Sequence, residues 1–171
     1  FLAIITHHIL AQRLSRNEYA PDGYVIEAPT AGGHNAPARG RDLNERGEPI
    51  YGERDVADLT KMREMGYPFW LAGLRAGYEE HMDAILEGVR GIQVGTAFAL
   101  TQESGWDARL KQQILNEITS DGGLDVFTDT AASPTGFPFK LGRVPRTMAD
   151  LAIYQARERI CDFWLPSSSA Q

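Results

Sequence analysis

Cysteine and long apolar segments are almost absent from this sequence. Among its 171 residues there is one cysteine, Cys161, so an intrachain disulfide and a cysteine-based zinc site are excluded and a reducing compartment is expected. No apolar run approaches the ~20 residues that a membrane-spanning helix requires. Residues 1–5 lack a starting methionine and the basic flank of a signal peptide, and we interpret them as part of a strand. We therefore predict a cytoplasmic protein without a membrane partner.

Positive charge is also scarce. The sequence has 17 Lys and Arg residues against 23 Asp and Glu residues, which gives a formal net charge of −6. A protein that is held on DNA or RNA by phosphate contacts needs a basic surface, so we expect no nucleic-acid partner. This deficit still leaves room for a few basic residues beside the phosphate of a small ligand.

The most informative stretch is an apolar run that ends in two glycines and a histidine, Tyr24-Val-Ile-Glu-Ala-Pro-Thr-Ala-Gly-Gly-His34. Such a run is typical of a buried parallel strand whose carboxyl end opens into a loop. Glycines there let a ligand approach the backbone, because no Cβ intervenes. The imidazole of His34 could exchange a proton near neutral pH. The alternatives are that the two glycines only form a tight turn and that His34 is merely a solvated or hydrogen-bonded residue.

Strands and helices alternate through the first hundred residues. The predicted strands are residues 2–6, 24–27, 68–72 and 91–94, and the predicted helices between them are residues 7–14, 55–65 and 78–87. This alternation favours a parallel sheet with right-handed crossovers. From about residue 97 the pattern is mostly helical, with helices predicted at residues 107–118 and 147–159.

Three of the predicted strands end in glycine, at Gly32-Gly33, Gly73 and Gly95. Because the carboxyl ends of parallel strands lie at one edge of the sheet, we expect these turns to converge on a single ligand site. The last two turns, with the hydroxyl of Thr96, suit a phosphate. No metal site is predicted, since the adjacent His7 and His8 should point to opposite sides of a strand end.

Several segments resemble, in order and spacing, the nitronate monooxygenases, formerly called 2-nitropropane dioxygenases. They are Ala31-Gly-Gly-His34 after Val25-Ile-Glu27, Leu71-Ala-Gly73, Gly91-Ile-Gln-Val-Gly-Thr-Ala-Phe98, Glu103-Ser-Gly105 and, in a subgroup's version, Ser133-Pro-Thr-Gly-Phe-Pro-Phe-Lys140. The resemblance implies an α/β fold, the FMN-binding (β/α)8 TIM barrel. That fold typically needs ~250 residues and eight strands, whereas four candidate strands are visible here, which look like the fifth to eighth. We therefore expect a partial barrel: residues 1–100 form half of a TIM barrel with the flavin-phosphate site, and residues 101–171 form a mainly helical extension.

The resemblance also implies an activity and a set of site residues. The activity is FMN-dependent oxidation of alkyl nitronates or nitroalkanes by oxygen, which yields a carbonyl compound and nitrite. His34 matches the base that removes the proton α to the nitro group. The residues that the resemblance assigns to FMN binding are Glu27, Gly32, Gly33, Gly73, Gln93, Val94, Gly95 and Thr96. Relatives often have Gln at the position of Glu27 and usually have a second glycine where this chain has Leu74.

Two other functions stay open from the sequence. One is an FMN-dependent enoyl-acyl carrier protein reductase, from the wider group to which these enzymes belong. The other is a truncated barrel fragment without catalytic activity. A half barrel leaves two edge strands and an apolar interior uncovered, so we expect either a missing barrel half or a homo-oligomer partner to cover them.

Overall fold

The computed structural model describes residues 1–158 except 121 and 134. Cys161 and the end of the predicted extension therefore lie outside the described residues. The strands are β1 Leu2–Ile5, β2 Gly23–Glu27, β3 Gly33–His34, β4 Phe69–Ala72, β5 Gly91–Gln93, β6 Val126–Asp129 and β7 Phe139–Gly142. The helices are α1 His8–Leu14, α2 Leu59–Glu64, α3 Tyr78–Leu86, α4 Thr96–Ala99, α5 Ala108–Thr119 and α6 Leu151–Ala156, and a 3-10 turn spans Glu53–Asp55.

Four strands form a parallel sheet in the order β1-β2-β4-β5. All three strand pairs are parallel, as the alternation of strands and helices predicts. The protein is thus an α/β protein with a four-stranded parallel sheet, and this arrangement is compatible with part of a (β/α)8 barrel.

One face of this sheet carries the hydrophobic core. Ile5, Ile26, Leu71 and Ile92 lie in one register row across the four strands, so their side chains share a face. On that face they join Ala11, Met62 and Ala84 from helices α1, α2 and α3 in one cluster. The apolar rows of the strands and the small or flexible side chains of the helices therefore interlock on one side of the sheet.

The opposite face is apolar but incompletely covered. Trp70 lies across it, close enough that a Cβ added at Gly23 or Gly91 would come within 3.0 and 2.9 Å of its ring. Towards the β1 edge, Leu2 is 45% exposed and Ile4 is 59% exposed. The glycines thus leave room for the indole, while the edge of this face remains open to solvent.

A second sheet forms where the sequence predicted a mainly helical extension. Its three strands are antiparallel in the order β3-β7-β6. The extension therefore combines helices with two strands, and that prediction missed a sheet. The reason is physical: β6 and β7 are short, and β7 pairs with a two-residue strand that lies far away in the sequence, so no local pattern marks the pairing.

Aspartate side chains set the starts of three helices. Asp58, Asp107 and Asp150 each precede a helix. The carboxylates of Asp58 and Asp107 each accept two hydrogen bonds from backbone N–H groups of the first turn, and that of Asp150 accepts one. Such caps satisfy donors that have no partner within the helix. They explain why α2 and α6 begin at Leu59 and Leu151 rather than at residues 55 and 147. None of the helices in the described part of the chain is long and apolar enough to cross a membrane.

Candidate functional site

The turns that follow β2, β4 and β5 come together at the carboxyl edge of the parallel sheet. A Cβ added at Gly73 would lie 2.7 Å from both the Ala31 backbone nitrogen and Thr30 Oγ1. A Cβ added at Gly32 would lie 3.9 Å from Thr96 Oγ1. The turn after β2 therefore packs against the turn after β4 and lies near the Thr96 hydroxyl of the turn after β5. This juxtaposition is the one that the glycine pattern predicts.

The turn after β4 has an unusual backbone. Gly73 has φ of 97° and Leu74 has φ of 49°, so two consecutive residues lie in the left-handed region. Glycine adopts this conformation freely, whereas an L-residue there costs about 1–2 kcal/mol. Leu74 is 75% exposed, so packing of its side chain does not offset the backbone strain. The chain thus keeps a glycine-like backbone at Leu74, the position where the resemblance implies a second glycine.

The turn after β5 offers open backbone. Gly95 is the N-cap of the short helix α4 and has no side chain to accept from its first N–H groups. No atom lies within 4 Å of a Cβ added there. Gln93, Gly95 and Thr96 are exposed, and Val94 is half-buried. This turn is therefore free to accept a ligand against its backbone.

Glu27 lies beside these turns, in one register row with Ala72 and Gln93. The small Ala72 side chain leaves space for the Glu27 carboxyl to hydrogen-bond to Gln93 across it. Burial raises the pKa of Glu27 above its ordinary value, and the hydrogen bond with Gln93 opposes that shift. A carboxyl with a raised pKa at a strand end is a feature of functional sites.

The raised pKa of Glu27 has a testable effect on stability. Its contribution is complete below the ordinary value of 4.5 and is lost as the pH rises through the raised pKa. We therefore expect Glu27→Gln to increase the free energy of unfolding at neutral pH and to flatten its decline above pH 4.5. Urea denaturation across that pH range measures both effects, with Glu103→Gln at an exposed position as the charge control. A lower stability of Glu27→Gln at neutral pH would contradict this prediction.

His34 lies on β3, at the junction of the two sheets. It pairs with Phe139 of β7, and their rings meet edge to face with centroids 4.6 Å apart. The Nε2 atom of His34 lies 2.8 Å from Ser133 Oγ. The imidazole is thus held by the second sheet, two residues beyond Gly32 at the convergence of the turns.

A small cavity adjoins the carboxyl ends of β1 and β2, where Thr6 and Glu27 line it. Its volume is about 40 Å³, and its other polar lining residues are His7, Asn35, Arg39, Tyr51 and Asp55. Asn35 is only 5% exposed; its Nδ2 donates to the Ala31 carbonyl at 3.0 Å, and its Oδ1 has no hydrogen-bond partner among the described residues. A bound water or a ligand donor would satisfy this oxygen.

Sequence reasoning missed Asn35 and Ser133 as site residues. Asn35 directly follows the histidine of the motif, but a polar residue in a predicted loop gives no sign that it will be buried. Ser133 stands first in the segment that resembles a later part of the family. That resemblance was the only signal that could have marked it.

The two adjacent histidines do not point apart, so that expectation is wrong. His8 begins helix α1, and the ring centroids of His7 and His8 lie 4.1 Å apart. The Nδ1 atom of His7 accepts from the Ile9 N–H, and that of His8 accepts from the Asp58 N–H. Burial lowers the pKa of both. Within the described ranges no three His, Cys, Asp or Glu side chains are grouped to hold a metal ion.

The fold and this site define an α/β protein with glycine-rich strand ends that meet at one edge of a parallel sheet. Over 120 residues the chain is 32% identical to a probable nitronate monooxygenase of Staphylococcus haemolyticus (strain JCSC1435). The aligned segment is 68% of this chain and 32% of that protein, so the chain matches about a third of the length of this curated relative. No family model matches the sequence.

Proposed function

We propose that this chain is part of an FMN-dependent oxidoreductase that oxidises alkyl nitronates or nitroalkanes with oxygen to a carbonyl compound and nitrite. The observation that carries this function is that the turn at residues 30–32 packs against Gly73 and lies close to the hydroxyl of Thr96. In a parallel sheet, such a meeting point is where ligands bind. The partial similarity to a probable nitronate monooxygenase supports the same proposal.

The residues at the convergence fit an FMN molecule. Gly73 lets the turn after β4 pack directly against residues 30 and 31, and Gly95 exposes backbone beside the hydroxyl of Thr96. These groups, with Gln93 and Val94, would hold the phosphate. Glu27, Gly32 and Gly33 would line the flavin ring, and the raised pKa of Glu27 suits a carboxyl that shares its proton with a polar ring edge.

The chemistry divides between the cofactor and the protein. FMN, when bound, supplies the redox chemistry. His34 takes the proton from the α-carbon of a nitroalkane, which converts the neutral compound to its nitronate. A nitronate that is already formed does not need this step. The second sheet holds the imidazole, so residues 126–142 belong functionally with the site that we assign to residues 1–100.

A partner for the open sheet face is part of the same proposal. Leu2 and Ile4 are 45% and 59% exposed, and the curated relative is about three times longer than the segment that aligns with it. Either a barrel half from a longer chain or a second copy of this chain would cover these residues. The nitronate, the nitroalkane and oxygen are the proposed small-molecule partners.

Flavin binding is the first test. Addition of FMN to the purified protein should perturb the flavin absorbance spectrum, and denaturation should release FMN. Gly95→Ala should weaken binding at least about tenfold, because its methyl group would occupy the open space at the turn. Gly105→Ala adds a methyl group in equally open space, at a residue to which we assign no FMN contact, and should bind like the parent.

Two outcomes would overturn this function. A protein that shows no spectral change with FMN and releases none on denaturation would be a non-catalytic fragment. Stoichiometric NAD(P)H consumption with an enoyl thioester, in the absence of oxygen, would assign the reductase activity instead.

A further inference from the structure

Ser133 is the buried partner of the candidate base. It is 7% exposed and lies between strands β6 and β7. Its Oγ is 2.8 Å from His34 Nε2 and 2.6 Å from Thr135 Oγ1. The Thr135 N–H also donates to Ser133 Oγ, at 3.3 Å. One hydroxyl group therefore joins the imidazole to the loop before β7.

The donor and acceptor capacity of the Ser133 hydroxyl allows two hydrogen-bond arrangements. A serine hydroxyl has one hydrogen and two lone pairs, and the Thr135 N–H occupies one lone pair. In the first arrangement, Ser133 donates to Thr135 Oγ1 and accepts from His34 Nε2–H, so Nδ1 carries the free lone pair. In the second, Thr135 donates to Ser133, and Ser133 donates to His34 Nε2, so Nδ1 carries the hydrogen. The two arrangements give opposite tautomers of His34.

A base needs an unprotonated nitrogen that faces its substrate. The Nε2 atom of His34 is engaged by Ser133, and within the described residues no hydrogen bond engages Nδ1. Removal of a substrate proton therefore requires the first arrangement. We infer that Ser133 is a positioning residue that accepts from His34 Nε2–H, donates to Thr135, and leaves His34 Nδ1 as the base. This inference rests on the proposed function for the role of His34, but the tautomer itself is measurable without any substrate.

Nitrogen NMR of the full chain labelled with 15N-histidine tests the tautomer. The signals of His34 are those lost in His34→Gln. We expect a protonated, pyrrole-type shift for Nε2 and an unprotonated, pyridine-type shift for Nδ1. A protonated Nδ1 would overturn the inference, whatever the activity of the protein.

Substitution at Thr135 sharpens this test. In Thr135→Val the hydroxyl of Ser133 loses its acceptor, becomes free to donate to His34 Nε2, and should move the tautomer towards protonated Nδ1. In the second arrangement Ser133 already donates to Nε2, so the same variant would leave the shifts unchanged. Thr130→Val, at an exposed threonine of the same segment, is the matched control.

Kinetics give the readout on function. With FMN present, Ser133→Ala should lower kcat for a neutral nitroalkane about 10²-fold through misplacement of the imidazole, with a much smaller loss on the nitronate. Ser133→Thr, which keeps the hydroxyl, should restore part of the nitroalkane rate. Equal losses on both substrates in a variant with unchanged thermal unfolding would reject the positioning role. If the parent turns over neither substrate, the proposed function fails, while the NMR result still decides the tautomer.

Discussion

His34→Asn is expected to lower turnover of a neutral nitroalkane by about 10²–10⁴-fold while sparing much of the reaction with a preformed nitronate. The asparagine amide has no basic nitrogen, so it cannot take the α-proton that the imidazole would accept. A nitronate arrives without that proton, so its oxidation needs only binding and the redox chemistry of FMN. The measurement is initial rates of oxygen consumption with each substrate form at a fixed flavin content.

His81 supplies the matched control for this variant. It is an exposed histidine on helix α3 to which we assign no contact with FMN or substrate, and His81→Asn should retain both activities. Equal loss on the nitroalkane and the nitronate in His34→Asn, at unchanged FMN content, would remove proton abstraction as the role of His34. That result would leave the imidazole as a group that only orients the ligand.

The parallel sheet could be predicted because its signals are local. Each strand is a short apolar run, three of the four lead into glycine-containing turns, and a helical pattern separates each strand from the next. Ile26 and Leu71 show this on one sheet face, where the structure aligns them in register. The convergence of Gly32, Gly73 and Thr96 follows from the same rule, since parallel strands end at a common edge.

The second sheet and its contacts could not be predicted in this way. Phe139 pairs with His34 through a register that depends on the whole path of the intervening chain. Ser133 is buried and hydrogen-bonded to the imidazole for the same reason. Nothing in a loop-like sequence indicates that such a serine will be buried. Pairing between distant segments is thus the part of the site that composition and periodicity leave undetermined.

Gly73→Ala is expected to destabilise the protein by about 2–4 kcal/mol and to abolish FMN binding. Its Cβ would lie 2.7 Å from the Ala31 nitrogen and from Thr30 Oγ1, and φ of 97° at this residue is strained for any L-residue. Urea denaturation gives the free energy of unfolding. Gly105→Ala has no atom within 4 Å of the added methyl group and should change stability by less than about 0.5 kcal/mol.

The two clashes expected in Gly73→Ala differ in how they can relax. This difference can show whether the backbone of Ala31 or the side chain of Thr30 is the reason that position 73 requires glycine. The Thr30 hydroxyl can rotate or be removed, whereas the Ala31 nitrogen is fixed by the turn in which its N–H donates to the Ala28 carbonyl at 2.9 Å. Adding Thr30→Ala to Gly73→Ala should therefore recover only a minor part of the lost stability. Full recovery would mean that the hydroxyl alone excluded the methyl group, and the close approach of the backbone at this turn would then not be the reason for glycine.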